Sequence, residues 1–221
     1  MWYSKEAREK MSETTILQGS PVFDFSGVRL CLDFANTLAD RLEERPREHL
    51  NSYRDLVTWG LQASILTDNE AKLLLEEAAR RPGDAEKTFE HAITVREAIF
   101  RIFLAIAGDA SPDEADLTLL NSVLAEVMGH ARIMPEGDHF MWDWASKDGK
   151  LDSVLWAAVR SAADVLTSDE IHAVRVCAAD DCHWLFLDTS KNHSRRWCDM
   201  KTCGNRSKVR RHYERKKQPA Q

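Results

Sequence analysis

Four cysteines near the carboxyl end of the chain form the pattern with the clearest chemistry. They fall in two pairs of equal spacing, C-x4-C and again C-x4-C: Cys177, Cys182, Cys198 and Cys203. Zn²⁺ is commonly held by four thiolates in a tetrahedron, whereas a catalytic zinc has three protein ligands and an open position. The array therefore predicts one closed, structural Zn²⁺ site per chain.

Two histidines beside the array are alternative ligands. His183 directly follows Cys182, which makes simultaneous coordination awkward, and His193 lies outside both pairs. The fifth cysteine, Cys31, is far from the array and is interpreted as a small buried apolar residue. We therefore expect the four paired cysteines alone to bind the metal.

Charge is distributed unevenly along the chain. The formal net charge is −6, yet residues 191–217 hold 11 Lys and Arg against 2 Asp and Glu. A basic segment on an acidic body is typical of a nucleic-acid-binding module. The side chains predicted to contact nucleic acid are Arg195, Arg196, Arg206, Lys208, Arg210, Arg211 and Arg215. A solvated basic tail, or one that docks on the acidic body, is the alternative interpretation.

Composition and hydropathy limit the class of protein. A hydrophobic fraction of 43% suffices for a buried core, and no run of about 18 apolar residues that could span a membrane is present. Residues 1–20 are polar, are expected to be disordered, and lack the apolar segment of a secretory signal. We expect a cytoplasmic, reducing location, where paired cysteines are metal ligands more often than disulfides.

Hydrophobic periodicity predicts a mainly α fold with small β elements, an α+β class. Residues 21–168 are expected to form a mostly helical sensor or ligand-binding domain, which opens with a strand or a helix entry at 27–34. The predicted helices span 53–65, 67 to the Pro82-Gly83 stop, 84–107, a segment capped by Ser111, and 151–166. A β-hairpin is predicted over 132–144, and 167–170 is interpreted as a linker.

Residues 169–217 are expected to form a zinc finger with a basic helix. A strand at 172–176, a second at 184–187, and a helix from about 205 to 216 whose first turn follows Cys203 give the layout of a treble-clef finger. Gly204 is expected to let backbone N–H groups approach the thiolates, and Asn205 to cap the helix. The helix face that carries Val209, His212 and Tyr213 is expected to pack on the hairpin.

Arg96 lies within an apolar stripe of the longest predicted helix. An unpaired buried charge costs several kcal/mol, so Arg96 must be paired or face a ligand. A buried bridge to Asp33 is one interpretation. The other is an anion-binding effector pocket formed by Asp33, Asn36, Thr37 and Arg96, which the indole rings of Trp142, Trp144 and Trp156 could line.

The motifs of the carboxyl-terminal segment resemble those of the CGNR zinc-finger family. Cys203-Gly204-Asn205-Arg206 spells the family's name, and Trp197-Cys198 and the basic stretch Lys208–Arg211 also fit. Leu30–Thr37 resembles the ABATE-type domain usually paired with this finger, so that the resemblance covers about 195 residues. It implies a bacterial, stress-induced transcription regulator with the four cysteines as zinc ligands and a finger that binds DNA.

The leading hypothesis is a DNA-binding transcription regulator whose helical domain senses a small-molecule effector. One recognition helix offers only a short contact, so a DNA binder would be expected to form a homodimer. The alternatives are a small-molecule-binding protein whose finger mediates protein docking or dimerisation, and an RNA-binding protein. No nucleophile–base pair or Gly-rich phosphate loop is present, so we do not expect an enzyme.

Overall fold

The computed structural model describes residues 21–144 and 149–217 and shows a mainly helical protein with small antiparallel sheets. The fold class expected from the sequence is therefore confirmed. The disorder expected of residues 1–20 concerns a segment outside the described residues. Within the described ranges, every helix is too short or too polar to cross a bilayer.

Within residues 21–144 and 149–168, the helical domain contains ten elements. In chain order they are α1 (Leu30–Ala35), β1 (Leu38–Ala39), β2 (Arg47–Glu48), α2 (Tyr53–Gln62), α3 (Asp68–Arg80), α4 (Pro82–Ala107), α5 (Glu114–Met128), β3 (Ala131–Glu136), β4 (His139–Trp144) and α6 (Ser153–Leu166). A 3₁₀ helix (Asp169–Ala173) leads to β5 (Val174–Val176), β6 (Leu185–Leu187), a π-helical turn (Met200–Gly204) and α7 (Asn205–Lys217).

Local capping decides where several helices begin. Thr67 caps α3 as predicted, and its backbone N–H donates to Glu70 Oε2 at 2.7 Å in a capping box. Ser111 does not cap α5. Asp113 does so instead, accepting from the N–H of Ala115 at 2.7 Å, because its carboxylate also supplies the negative charge that a helix N-terminus favours. Helix α4 starts at Pro82, two residues earlier than predicted, because proline is suited to the first helical position.

The predicted hairpin is present as strands β3 and β4. The two strands pair in antiparallel register from Ala131 opposite Trp144 to Glu136 opposite His139. Gly137 makes the turn with a φ of +62°, a conformation that glycine adopts without strain. Strand β4 approaches helix α6, where the rings of Trp144 and Trp156 meet edge to face at 5.7 Å.

Helix α1 is the buried centre of the fold. All six of its residues are buried, and it packs against α4, α6 and β6. Its sequence is apolar on nearly every face, as expected of a helix surrounded by protein. The exception, Asp33, accepts a hydrogen bond from the N–H of Gly27 at 2.7 Å.

The zinc-finger segment shares a core with the helical domain. Val174, Leu185 and Leu187 from β5 and β6 belong to the main apolar cluster. The side chain of Asn36, directly after α1, donates to the carbonyl of Leu185 at 2.8 Å and accepts from its N–H at 2.9 Å. The segment 167–170, predicted as a linker, is itself attached, since Glu170 pairs with both Nε and Nη2 of Arg29.

The buried charge of Arg96 is paired, but its partner is Glu48 and not Asp33. Arg96 is 1% exposed, and its two terminal nitrogens donate to the two carboxylate oxygens of Glu48 at 2.7 and 2.8 Å. Its Nη1 also reaches Thr37 Oγ1 at 3.2 Å, and its Nε donates to Glu97 at 2.9 Å. The short strand β2 brings Glu48 over α4, so the ion pair ties this loop to the core.

Replacing Glu48 with alanine is expected to lower the free energy of unfolding by about 2–3 kcal/mol, because Arg96 would keep its buried charge with fewer partners. Urea denaturation of the zinc-loaded protein measures this change. The control is Glu76→Ala, which removes an exposed carboxylate 3.9 Å from Lys72 and should cost less than about 0.5 kcal/mol. Equal losses in the two variants would show that the Arg96–Glu48 pair contributes no special stability.

Candidate metal centre and nucleic-acid interface

The four predicted ligand sulfurs converge. Among the residues that the structure describes, these cysteines are the group whose ligand atoms all lie within 4.8 Å of one another, and all four are buried. Cys198 Sγ is 3.6 Å from the sulfurs of both Cys182 and Cys203. Zn–S bonds of about 2.3 Å in a tetrahedron require sulfur separations of about 3.8 Å, whereas a disulfide needs about 2.0 Å. The donor set therefore fits one structural Zn²⁺.

Two backbone hydrogen bonds position the first pair of ligands, Cys177 and Cys182. Cys177 follows strand β5, and its N–H donates to the carbonyl of Trp184 at 2.8 Å. The N–H of Cys182 then donates to the carbonyl of Ala179 at 3.1 Å, which closes a tight turn. Neither His183 nor His193 belongs to the cluster of ligand atoms. The four paired cysteines are thus the metal ligands that the described residues offer.

The second pair lies at the turn that leads into α7. Asp199 caps this turn by accepting the N–H of Thr202 at 2.7 Å, so the predicted cap at Asn205 is wrong. The amide nitrogen of Asn205 instead donates to the carbonyl of Lys201 at 3.1 Å. The first knuckle thus lies between the paired strands β5 and β6, and the second pair of cysteines precedes and enters the helix, as in a treble-clef finger.

Gly204 serves the packing of this turn and not the sulfurs directly. Its own N–H donates to the carbonyl of Asp199 at 3.0 Å, whereas backbone groups of Cys198 and Ala179 hydrogen-bond to the sulfur of Cys177. A Cβ atom at this position would lie 2.6 Å from Met200 Sδ, far inside contact distance. A residue larger than glycine would therefore require the half-exposed side chain of Met200, which folds back against the turn that carries Cys203, to move.

The crowded thiols share their protons unequally. Hydrogen bonds from Cys182 and then Cys198 lower the pKa of Cys177 far below its usual range. The same hydrogen bonds raise the pKa of Cys182 and of Cys198. Four sulfurs this close can all be deprotonated only if a cation neutralises them, which is what a divalent metal supplies.

Arg206, the last residue of the Cys-Gly-Asn-Arg motif, contacts the metal site itself. Its Nη2 lies 3.4 Å from Cys203 Sγ and 3.0 Å from Asp181 Oδ1. Burial opposes the charge of its guanidinium, but Asp181, Cys203 and Cys182 together raise its pKa. Arg206 therefore bridges a ligand sulfur and the first knuckle, in addition to lying on the exposed basic helix.

Arg195, predicted to contact nucleic acid, has its side chain turned toward the interior of the finger. Its guanidinium donates to the carbonyl of Trp197 at 3.0 Å, to that of Ser26 at 3.1 Å and to that of Cys198. Its Cζ also lies 4.5 Å above the ring of Phe186. Arg195 thus joins the second knuckle to the segment that precedes α1, a role that its neighbour Arg196 does not share.

Four other basic side chains predicted to contact nucleic acid are exposed: Arg196, Arg206, Lys208 and Arg210. Two of them are paired with acids of the first knuckle, Arg206 with Asp181 and Arg210 with Asp180, each at 3.0 Å. With Arg196 and Trp197 these residues line a notch of about 250 Å³. We call this surface the basic notch.

Helix α7 does not pack on the hairpin through its apolar residues. Val209 and Tyr213 are 55% and 62% exposed, which contradicts the predicted packing. The helix is attached through the turn at Cys203 and through the ion pairs of the basic notch. The predicted contacts of Arg211 and Arg215, and the predicted packing of His212, concern side chains outside the described residues.

The four residues proposed to bind an effector form hydrogen bonds to other groups of the protein. Asp33 accepts from Gly27, Asn36 bonds both backbone groups of Leu185, and Thr37 Oγ1 donates to the carbonyl of Phe34 while accepting from Arg96. Their polar groups stabilise α1 and its attachment to the finger. Trp156 is buried, whereas Trp142 and Trp144 line a separate cavity beside α6.

Comparison with protein-family models gives two adjoining matches. Residues 28–169 match ABATE, described as "Putative stress-induced transcription regulator", and residues 173–216 match the CGNR zinc finger. The second match contains all four clustered cysteines, in agreement with the donor set that the structure assembles. No curated protein matches the chain.

Metal analysis of the purified protein should find one zinc per chain, and Cys198→Ala should lose it, because Cys198 Sγ is 3.6 Å from two other ligands. The matched control is Cys31→Ala, which removes a fully buried cysteine of α1 and should keep its zinc. Mass spectrometry of the bound metal measures both variants. Full zinc content in Cys198→Ala, or its loss in Cys31→Ala alone, would contradict the assignment of the ligands.

Proposed function

We infer, because this chain belongs to the ABATE family and carries a CGNR zinc finger, that it regulates transcription by binding DNA through the finger. In this proposal it acts in the cytoplasm as a binding protein and not as an enzyme. The helical domain senses a small molecule, and the finger contacts DNA. Helix α7, which is basic and begins at the last zinc ligand, is the observation that carries the proposal.

The charge and dimensions of α7 suit a nucleic-acid groove. Asn205–Lys217 contains seven Lys and Arg and one Glu. A helix of this length extends about 20 Å, and the major groove of B-DNA, about 12 Å wide, admits an α-helix. Because the metal would fix the turn at Cys203, the first part of the helix is ordered before binding, and less conformational entropy is lost in the complex.

The acids of the basic notch regulate access to its arginines. Asp180 and Asp181 lie against Arg210 and Arg206, whose side chains remain 58% and 54% exposed. Exposed ion pairs of this kind contribute about 0–1 kcal/mol, so a phosphate can replace a carboxylate at little cost. We therefore assign the two aspartates the role of internal competitors for the DNA backbone.

Lys208→Ala combined with Arg210→Ala should weaken binding to duplex DNA by about tenfold or more and make the salt slope shallower by about two. Arg206 is left intact because it contacts Cys203. Fluorescence anisotropy of labelled DNA with zinc-loaded protein, repeated over a salt series, measures both effects. As a control, Lys72→Ala with Arg80→Ala removes two exposed cations of α3 and should leave affinity unchanged.

Either unchanged affinity in the α7 double variant, or no binding by the wild type at low salt, would refute the DNA proposal. Competition between duplex DNA and single-stranded RNA decides which nucleic acid is preferred. Tighter binding of the RNA would favour RNA binding instead.

Asp180→Asn combined with Asp181→Asn should tighten DNA binding by about three- to tenfold, because two carboxylates that compete with phosphate are neutralised. The same anisotropy assay measures the gain. The control, Asp109→Asn with Asp138→Asn, changes net charge equally at two exposed positions of the helical domain. If both double variants bind DNA equally well, the notch acids do not compete with DNA and only net charge matters.

A second candidate function is protein docking or dimerisation by the finger. Met200, Val209 and Tyr213 are 45%, 55% and 62% exposed, which leaves apolar surface beside the basic notch. Sedimentation of the zinc-loaded protein tests this candidate. A stable dimer that dissociates in Val209→Asp would favour docking, and a dimer unaffected by that change would place the contact elsewhere.

A further inference from the structure

We propose that a cavity between helix α6 and the β3–β4 hairpin binds an uncharged, flat aromatic molecule, and that its occupation is transmitted to the zinc finger. The cavity measures about 500 Å³, within the range of small-molecule sites. This inference rests on the sensing role in the proposed function and gives that role a place. This cavity takes the place of the effector pocket expected around Arg96, because the residues of that pocket hydrogen-bond to one another and to the rest of the protein.

The cavity has an apolar wall with two indole rings. Trp142 and Trp144 come from β4, Leu30 from α1, Ile65 from the segment after α2, and Ala157 from α6. Trp144 is fixed by its edge-to-face contact with the buried Trp156. These side chains supply the apolar surface that a small-molecule site requires, and they come from elements that the fold holds in place.

The charged side chains around the cavity are already paired with one another. Arg29 pairs with Glu170, and Arg160 Nη2 lies 3.2 Å from Asp164. The third acid, Asp143, accepts from Arg132 at 2.6 Å. A charged ligand would have to break one of these pairs for each contact it gained. The wall therefore favours an uncharged occupant.

We infer that the occupant is aromatic from the surroundings of the Trp142 ring. The guanidinium of Arg160 lies over its ring, with Cζ 4.7 Å from the ring centroid. Because arginine planes stack on aromatic rings, a flat aromatic ligand can stack on this guanidinium while the Arg160–Asp164 pair stays in place. Next to it, Ser161 Oγ accepts the N–H of Cys31 at 3.2 Å and its hydroxyl also bonds to the Cys31 thiol, so this polar group is already engaged within the protein.

The wall of the cavity is also part of the finger's attachment. Arg29 belongs to the segment before α1, and Glu170 to the 3₁₀ helix that leads directly into β5. In the same segment, the carbonyl of Gly27 accepts from Leu187 of β6 at 2.9 Å. An occupant that shifts the Arg29–Glu170 pair therefore acts on two of the connections between the helical domain and the finger.

Two matched probes test the ligand class on the full zinc-loaded protein. N-phenyl-1-naphthylamine is uncharged, and 1-anilinonaphthalene-8-sulfonate is the same ring system with a sulfonate. Titration followed by probe fluorescence should show one saturable site per chain, with at least about tenfold tighter binding of the uncharged probe. Absence of a saturable site, or equal or tighter binding of the sulfonate, would overturn the proposal.

Three variants locate the bound probe. Ala157→Phe fills the cavity and should abolish saturable binding, and Trp142→Ala, which removes a stacking surface without adding volume, should weaken it about tenfold. Phe140→Ala removes an aromatic side chain that is 74% exposed on the same strand, and should have no effect. Unchanged affinity in Ala157→Phe, or in Trp142→Ala if the first variant does not fold, would place the probe elsewhere.

Hydrogen exchange tests the transmission to the finger without any DNA. Saturating N-phenyl-1-naphthylamine should change the protection of amides in 169–176 and 185–187 by at least about threefold, while those of α3, none of whose residues lines the cavity, stay constant. Unchanged protection in both finger segments would overturn the coupling. Because DNA is absent, failure here is distinguishable from failure of the DNA-binding proposal, which the anisotropy assay decides alone.

Discussion

The complete burial of helix α1 is the constraint on which the rest of the structure depends. Six residues with no solvent-facing side need covering protein all round, and the helical domain covers part of them with α4, with α6 and with Trp59 of α2, which contacts Phe34. Strand β6 of the finger covers them further, and Asn36 satisfies both backbone groups of Leu185. Because unsatisfied buried polar groups cost about 1–3 kcal/mol each, the helical domain and the finger stabilise one another. The finger is consequently a part of the domain's core.

The sequence predicts the features that are determined by residues close together in the chain. The zinc ligands were predictable because Zn²⁺ restricts residue type and spacing, and α3 because Thr67 and Glu70 cap it within one turn. The partner of Arg96 was not, because Glu48 lies 48 residues away in a charged loop whose path only the tertiary fold decides. Asp33 was the plausible candidate on hydropathy, yet the nearby N–H of Gly27 occupies it.

Adjacent arginines illustrate the same limit within the finger. Arg195 and Arg196 are equivalent in type and adjacent in sequence, but Arg195 forms internal bonds to four carbonyl groups and Arg196 is exposed. A count of basic residues therefore overestimates the interface. The exposure of Val209 and Tyr213 was missed for a related reason: helical periodicity predicts which residues share a face, not whether any protein covers that face.

The ion pairs of the basic notch have a thermodynamic consequence for any polyanion that binds there. Counterion release makes affinity depend on salt because cations leave the phosphates, but a phosphate that displaces Asp180 or Asp181 leaves a carboxylate that recruits cations in turn. Cation binding to the freed carboxylate thereby cancels part of the entropy gained when cations leave the phosphates. The dependence of affinity on salt would then understate the number of phosphates in contact with α7. The two acids thus set a threshold, since only a polyanion that makes several contacts at once can outcompete the protein's own carboxylates.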